Sequence, residues 1–158
     1  MRRIISAKVR NSSGVLNRVS GVLTRRQFNI ESISVGVTEK EGISRITFVM
    51  VGSSEEVEQV LKQLNKQIDV LKVVDLTEVA YLERELALVR VNAPTANRSE
   101  LFALIEPFRA SVIDVGSKTI LIQVTGTSDK VDAFVELVKP YGIKELARTG
   151  VTGLARSL

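Results

Sequence analysis

The sequence predicts an α+β fold built from two consecutive β-α-β-β-α-β units. Segments in which apolar and polar residues alternate, the pattern of a strand, are separated by segments with apolar residues at helical spacing. This order of segments occurs twice, first in residues 3–76 and again in residues 85–149. Each copy matches the ferredoxin-like split β-α-β arrangement, in which two helices cover one face of a four-stranded antiparallel sheet.

The first unit opens with a strand, a polar turn and a helix. Strict alternation in residues 3–10 indicates a strand with one buried face. The turn Asn11-Ser12-Ser13-Gly14 offers side chains that can cap a helix, and helical spacing continues to about Gln27. The apolar face of the strand is Ile5, Ala7 and Val9, and the expected buried stripe of the helix is Val15, Leu16, Val19, Val22 and Leu23.

A hairpin, a second helix and a fourth strand complete the first unit. Strands at residues 30–38 and 43–51 flank a polar loop that contains a glycine. Ser53-x-x-Glu56 has the form of a capping box, so a helix should begin there. Its expected apolar face is Val57, Val60, Leu61, Leu64 and Ile68, and the strand Val70 to Leu76 follows. Ile4, Val74 and Leu76 alternate onto the other face of the sheet, for which we expect cover from a second subunit.

The second unit repeats the order. We predict strands at residues 85–93, 110–116, 119–126 and 143–149. The predicted helices begin near Asn97-x-x-Glu100 and at Ser128, and the second stops at Pro140. The expected stripe of the first of these helices is Leu101, Leu104, Ile105 and Phe108. We therefore divide the chain into domains at residues 1–78 and 79–158, and interpret Glu83, Arg84 and Glu85 between them as a solvated run.

The composition excludes most catalytic designs. The 158 residues contain no His, Cys or Trp, whereas nucleophilic catalysis usually pairs Ser or Cys with His, and common zinc and iron sites need His or Cys. We expect no catalytic residue and no metal site on this chain. No apolar run approaches the roughly 18 residues of a membrane helix, and the N-terminus lacks a signal-peptide pattern, so we expect no membrane association and a cytoplasmic location.

The charge is unevenly distributed. The net charge is +4, yet residues 1–30 hold seven basic and no acidic residues. Such a segment is either a solvated face with protein partners or a nucleic-acid surface. Single-strand binding usually adds stacking aromatic side chains, and Phe28 is the only aromatic residue in this segment. We therefore predict no nucleic-acid partner.

The turn before the first helix is a candidate ligand site. The opening turn of a helix presents unpaired N–H groups, so a carboxylate could bind between Ser13 and Leu16, with Gly14 allowing close approach. Asn11 and Asn29 offer amide groups for an ammonium or a carboxylate. Val15, Leu16 and Ile30 would supply an apolar wall, so a branched amino acid fits. The alternative is that Asn11 only caps the helix and Gly14 only relieves the turn.

These residues resemble a known family. Asn11-x-x-Gly14-x-Leu16-x-Arg18-Val19 and Asn29-Ile30-Glu31-Ser32 are similar to the ACT domain of acetolactate (acetohydroxyacid) synthase small subunits. The likeness continues in Glu83-Arg84-Glu85-Leu86 and Ala147-Arg148-Thr149-Gly150 and covers essentially the whole chain. Gln27 stands where many members have Gly, and Val15 where some have Ala, which could alter the turn into Phe28 and the pocket volume.

The resemblance implies a regulatory subunit. In that family the large subunit carries thiamine diphosphate, magnesium and FAD, and the small subunit carries no cofactor, activates the large one and confers feedback inhibition by valine. It further implies a homodimer through ACT domains, and an ACT-like second domain that contacts the large subunit. Valine would bind to Asn11, Ser13, Gly14, Val15 and Leu16 of one subunit and Asn29 and Ile30 of the other.

The sequence leaves three other functions as alternatives. An ACT-domain amino-acid sensor that controls another enzyme or transcription is the nearest alternative. An RNA-binding ferredoxin-like module is disfavoured because the central strands lack exposed stacking aromatics. An independent enzyme is the least favoured, since His and Cys are missing.

Overall fold

The computed structural model describes residues 1–25 and 28–156, which contain four α-helices and nine strands besides short 3-10 turns. The order of the elements matches the sequence prediction except for the last strand, which was not predicted. In chain order the elements are β1 (Arg2–Arg10), α1 (Val15–Arg25), β2 (Asn29–Val37), β3 (Ile43–Val51), α2 (Ser54–Asn65), β4 (Val70–Asp75), β5 (Tyr81–Asn92), α3 (Arg98–Ile105), β6 (Ser111–Val115), β7 (Thr119–Gly126), α4 (Ser128–Val138), β8 (Ile143–Arg148) and β9 (Thr152–Ala155).

The first sheet has the strand order β2-β3-β1-β4, and its strands are antiparallel. This is the strand order of the ferredoxin-like fold, so the predicted fold class is confirmed. One face of the sheet packs on α1 and α2 through the residues that alternate inward, among them Ile5, Val9 and Phe48. The strand β2 lies at the edge of the sheet, and its apolar residues Ile33 and Val35 are 38% and 49% exposed.

Two residues of the predicted helical stripes are exposed. Leu16 is 47% exposed although its neighbour Val15 is buried, and its side of the first turn of α1 opens onto a cavity. Ile68 is 84% exposed, because α2 ends at Asn65 and helical spacing no longer places residue 68 on the buried face. The other stripe residues of α1 and α2 lie in or against the core, as predicted. The predicted end of α1 near Gln27 falls outside the described residues.

The other face of the first sheet is covered in part by the chain's own C-terminal segment. Ile4, Val49 and Leu76 form a second apolar cluster with Val151, which is 1% exposed. The Ser34 hydroxyl donates to the Val151 carbonyl (2.8 Å), and the Arg156 N–H donates to the Ala80 carbonyl (2.9 Å). The expectation that a second subunit would cover Ile4 and Leu76 is therefore wrong for these residues.

The chain forms two units whose boundaries differ from the sequence-based division after residue 78. Met1–Leu82 and the described residues from 151 onward form the first, and Glu83–Gly150 form the second. The return of the chain to the first unit uses β9, which the sequence did not predict. The strand β9 has only four residues, too few to show a periodic pattern. It pairs with β5, and the residues of β5 up to Leu82 belong to the first unit, as β9 does.

The second unit repeats the strand order, β6-β7-β5-β8. Its core lies between this sheet and the helices α3 and α4, and includes Leu101, Ile122 and Phe134. Phe108 was predicted on the stripe of α3, but it lies in a 3-10 turn after the helix, where its ring meets Phe134 edge-on at 5.5 Å. Among the described residues, no helix has the length and apolar character that a membrane span requires.

The predicted capping box at Ser53 gives a stability test. The Ser53 hydroxyl accepts from the Glu56 N–H (3.2 Å), and the Glu56 carboxylate accepts from the Ser53 N–H (3.1 Å). Ser53→Ala should lower the free energy of unfolding by about 1 kcal/mol, measured by urea denaturation. Ser54→Ala, one position inside α2, is the matched control and should have little effect. Equal losses in the two variants would contradict the role of the cap.

Candidate functional site

The turn between β1 and α1 is held in place by backbone hydrogen bonds on both sides. The Arg10 N–H donates to the Asp69 carbonyl (2.8 Å), and the Asn11 N–H donates to the Gly42 carbonyl (2.7 Å). Gly14 has φ +82°, a left-handed conformation that side chains disfavour. The left-handed Gly14 and these two hydrogen bonds to distant parts of the chain together fix a turn that directs the chain from the end of β1 into α1.

The start of α1 presents N–H groups without partners. The Val15 N–H donates to the Ser12 carbonyl (3.3 Å), and the first helical bond runs from Arg18 N–H to the Gly14 carbonyl (2.9 Å). Within residues 1–25 and 28–156, the N–H groups of Leu16 and Asn17 have no hydrogen-bond acceptor. Unpaired N–H groups at the positive end of a helix favour a bound anion.

Arg18 supports this turn from the side. Its guanidinium donates to the Ser13 carbonyl (3.4 Å) and forms an ion pair with Asp69, whose side chain is 17% exposed. A Cβ at Gly14 would lie 3.1 Å from Arg18 Nη1. Gly14 thus serves both the backbone conformation and the close approach of the guanidinium.

A cavity of about 590 Å³ opens beside the turn, between α1 and the sheet. Its apolar wall includes Val9 and Ile46, both almost fully buried, and Val35 of the edge strand. The complete lining is Val9, Arg10, Asn11, Ser12, Gly14, Val15, Leu16, Asn17, Ser20, Val35, Ser44 and Ile46. Arg10 is the charged member of this lining, so the cavity combines a positive charge, small polar groups and an apolar wall, which suits a small apolar acid.

Four of the seven predicted site residues line this cavity: Asn11, Gly14, Val15 and Leu16. The other three do not. Ser13 contributes its carbonyl to Arg18, while Asn29 and Ile30 lie at the start of β2, opposite Val51 and Met50. Gln27, which was expected to alter the turn into Phe28, lies outside the described residues.

Asn17, Ser20 and Ser44 are among the lining residues that sequence reasoning did not assign to the site. Two signals could have indicated them. Leu16 and Ser20 are four residues apart on one face of α1, with Asn17 beside them. Ser44 shares a face of β3 with the buried Ile46, because side chains two residues apart in a strand point the same way.

Comparison with known proteins identifies the family. A family model described as an AHAS small subunit-like ACT domain matches residues 5–72, and a model described as the small subunit of acetolactate synthase matches residues 84–157. The Bacillus subtilis acetolactate synthase small subunit is 58% identical over 99% of this chain and 91% of its own length. The chain belongs to the family of acetolactate synthase small subunits.

Further members of the family agree with this assignment. The acetolactate synthase small subunit of Aquifex aeolicus is 48% identical over 99% of this chain and 82% of its own length. The crystal structure of the Thermotoga maritima small subunit superimposes with a TM-score of 0.90 at 37% identity, covering 100% of this chain and 99% of that one. Family membership gives the chain the role of a regulatory small subunit, which implies association with a large catalytic subunit and no cofactor of its own.

Proposed function

We propose that this acetolactate synthase small subunit activates a large catalytic subunit and makes it sensitive to feedback inhibition by valine. The large subunit would carry thiamine diphosphate, magnesium and FAD and perform the transferase reaction in the cytoplasm. Residues 1–78 would bind the effector and form the dimer, and residues 79–158 would contact the large subunit. The observation that carries the valine proposal is the cavity at the start of α1.

The chemistry of that cavity matches an apolar amino acid. The N–H groups of Leu16 and Asn17 can hold a carboxylate, and Arg10 is the basic residue among those that line the cavity. Val9, Val15 and Ile46 offer an apolar surface for a branched side chain. Asn11 can accept from an ammonium group through its amide oxygen.

Dimerisation would complete the site. The strand β2 is an edge strand with unpaired backbone groups, and Val35 and Val37 on it are 49% and 85% exposed. Pairing two such edges would cover this apolar surface. Asn29 and Ile30 of one subunit would then face the cavity of the other, which accounts for their position outside the lining within a single chain.

Valine should stabilise the protein against heat. A ligand at one hundred times its Kd adds about 2.7 kcal/mol to the free energy of unfolding, which raises the Tm of a chain of this size by about 5–10 °C. Differential scanning fluorimetry with L-valine measures this shift. Valinamide, which lacks the carboxylate, is the matched control and should give a much smaller shift. No shift with valine, or an equal shift with valinamide, would contradict the proposed binding mode.

A further inference from the structure

A row of basic side chains crosses the first sheet on the face opposite its helices. Lys8 of β1 lies directly opposite Arg45 of β3 and opposite Lys72 of β4. The residues on either side of Lys8, Ala7 and Val9, are buried in the core beneath the helices. Since side chains alternate along a strand and directly opposed residues share a face, the three basic side chains emerge together on the other face. We call Lys8, Arg45 and Lys72 the basic row.

The positive charge of the basic row is not neutralised by an ion pair within the described part of the chain. None of its three members forms an ion pair with any residue in 1–25 or 28–156. Arg45 donates from Nη1 to the Ser6 hydroxyl (2.8 Å), which fixes its direction but adds no negative charge. Like charges directly opposite each other on a sheet are destabilising. The row therefore reduces the stability of the unit that contains it.

A groove of about 450 Å³ begins at the Arg45 end of the basic row. It runs between the end of β2 and β9, and its lining includes Ser34, Thr38, Glu39, Arg45, Thr152 and Leu154. Arg45 and Glu39 balance each other in charge within the groove. The excess positive charge lies outside the groove, at Lys8 and Lys72. A ligand that fills the groove and continues across the sheet would therefore contact two further cations.

A second copy of the chain and a single-stranded nucleic acid both fit this surface poorly. A symmetric contact through this face would oppose two basic rows and bring six cations together. Single-strand binding relies on aromatic stacking platforms, and no Phe or Tyr lies among the groove lining or the basic row. Carboxylate side chains on a protein surface would neutralise the row and are the complementary chemistry.

We propose that the basic row docks an acidic segment of the large catalytic subunit. This inference rests on the proposed function, since it takes the large subunit as the partner. It gives the first unit a contact with the large subunit, in addition to the contact proposed for residues 79–158. Lys8 and Lys72 supply the electrostatic attraction, and Arg45 directs the segment into the groove between β2 and β9.

The test compares two double variants with the same change in charge. Lys8→Gln/Lys72→Gln removes two cations of the row, and Lys62→Gln/Lys66→Gln removes two exposed cations of the same unit on the helical side. Affinity for the purified large subunit is measured by biolayer interferometry between 0.05 and 0.5 M salt. The row variant should bind about tenfold more weakly at low salt and show a shallower salt dependence, whereas the control should bind like wild type.

Thermal unfolding separates docking from folding. Because the row variant relieves repulsion between Lys8 and Lys72, its Tm should equal or exceed that of wild type while its affinity falls. Equal affinities of the two double variants would overturn the basic row as the docking surface and leave the proposed function standing. If wild type itself neither binds nor activates the large subunit, both proposals fail. Loss of binding to a single-stranded RNA oligonucleotide, with binding to the large subunit unchanged, would assign the row to nucleic acid and overturn the inference.

Discussion

Asn29→Ala should abolish valine inhibition, or raise the half-inhibitory concentration by about tenfold or more, while activation of the large subunit stays at the wild-type level. Allosteric coupling of about 1–3 kcal/mol corresponds to a change in affinity by a factor of about 5–150. Loss of one subunit's contribution to a shared site should remove most of this coupling energy. Asn29 is exposed at the start of the edge strand and lies outside the cavity lining of its own chain. Removing its amide should therefore leave the fold intact.

Gly14→Asp should have the same effect on inhibition for a different reason. It places a carboxylate beside the N–H groups that would hold the carboxylate of valine, and like charges repel. It also strains the backbone, because Gly14 has φ +82° and a Cβ would crowd Arg18. Gly14→Ala is the matched control: it brings the strain without the charge and should lose less sensitivity.

The measurement for both variants is acetolactate formation by the reconstituted enzyme over a range of valine concentrations. The salt dependence of activation, measured for each variant and for wild type, shows whether the variant still assembles with the large subunit. If Asn29→Ala and Gly14→Asp remain as sensitive to valine as wild type, the assignment of the effector site is wrong. If instead both lose activation together with inhibition, the turn before α1 belongs to the contact with the large subunit.

The fold could be predicted in detail because local patterns and tertiary contacts agree through most of the chain. The capping box at Ser53, the alternation in β1 and the helical spacing of Val15 and Val19 each specify the observed element. Prediction failed where a contact distant in sequence decides the outcome. Four residues at β9 have no pattern of their own, and their place depends on pairing with β5.

The candidate site could be predicted only in part. Asn11 and Gly14 belong to a local turn, so sequence alone indicated them. Ser44 lines the same cavity because it lies opposite Val9 of β1 and Val37 of β2. Alternation along β3 indicates which face Ser44 is on, but no local pattern encodes the register that brings it beside the turn. Asn29 and Ile30 were proposed from the chemistry of their side chains and from the resemblance, and a single chain does not bring them to the cavity.

Glu85 corrects the interpretation of residues 83–85 as a solvated run. Its side chain is only 4% exposed and forms an ion pair with Arg148, and the Ser128 hydroxyl donates to its other oxygen (3.3 Å). Arg148 also pairs with the exposed Asp132 (2.7 Å). The pKa of Arg148 is raised, chiefly by its hydrogen bond to Glu85. Two segments that carry the family resemblance, around Glu85 and around Arg148, thus meet in one ion pair inside the second unit.

Arg148→Met should therefore destabilise the protein by about 3 kcal/mol and lower its Tm by about 6–12 °C. Among the described residues, the variant leaves the buried Glu85 carboxylate with Ser128 as its one donor. An uncompensated buried charge is far more costly than a lost surface contact. Because the Arg148 side chain is 30% exposed, we expect the lower end of the range for buried pairs. Urea denaturation monitored by circular dichroism measures the loss.

Two companion variants decide whether the buried charge is the cause. Asp132→Asn removes the exposed partner of Arg148 and should change stability by no more than about 0.5 kcal/mol, as surface pairs do. Glu85→Gln/Arg148→Met removes both charges, keeps an acceptor for Ser128, and should recover most of the loss. A double variant as unstable as Arg148→Met would show that the packing of the Arg148 stem, and not its charge, stabilises this end of β8. With recovery, the resemblance at residues 83–86 and 147–150 is explained by folding, which leaves the effector site at α1 and the basic row as the regions to test for regulation.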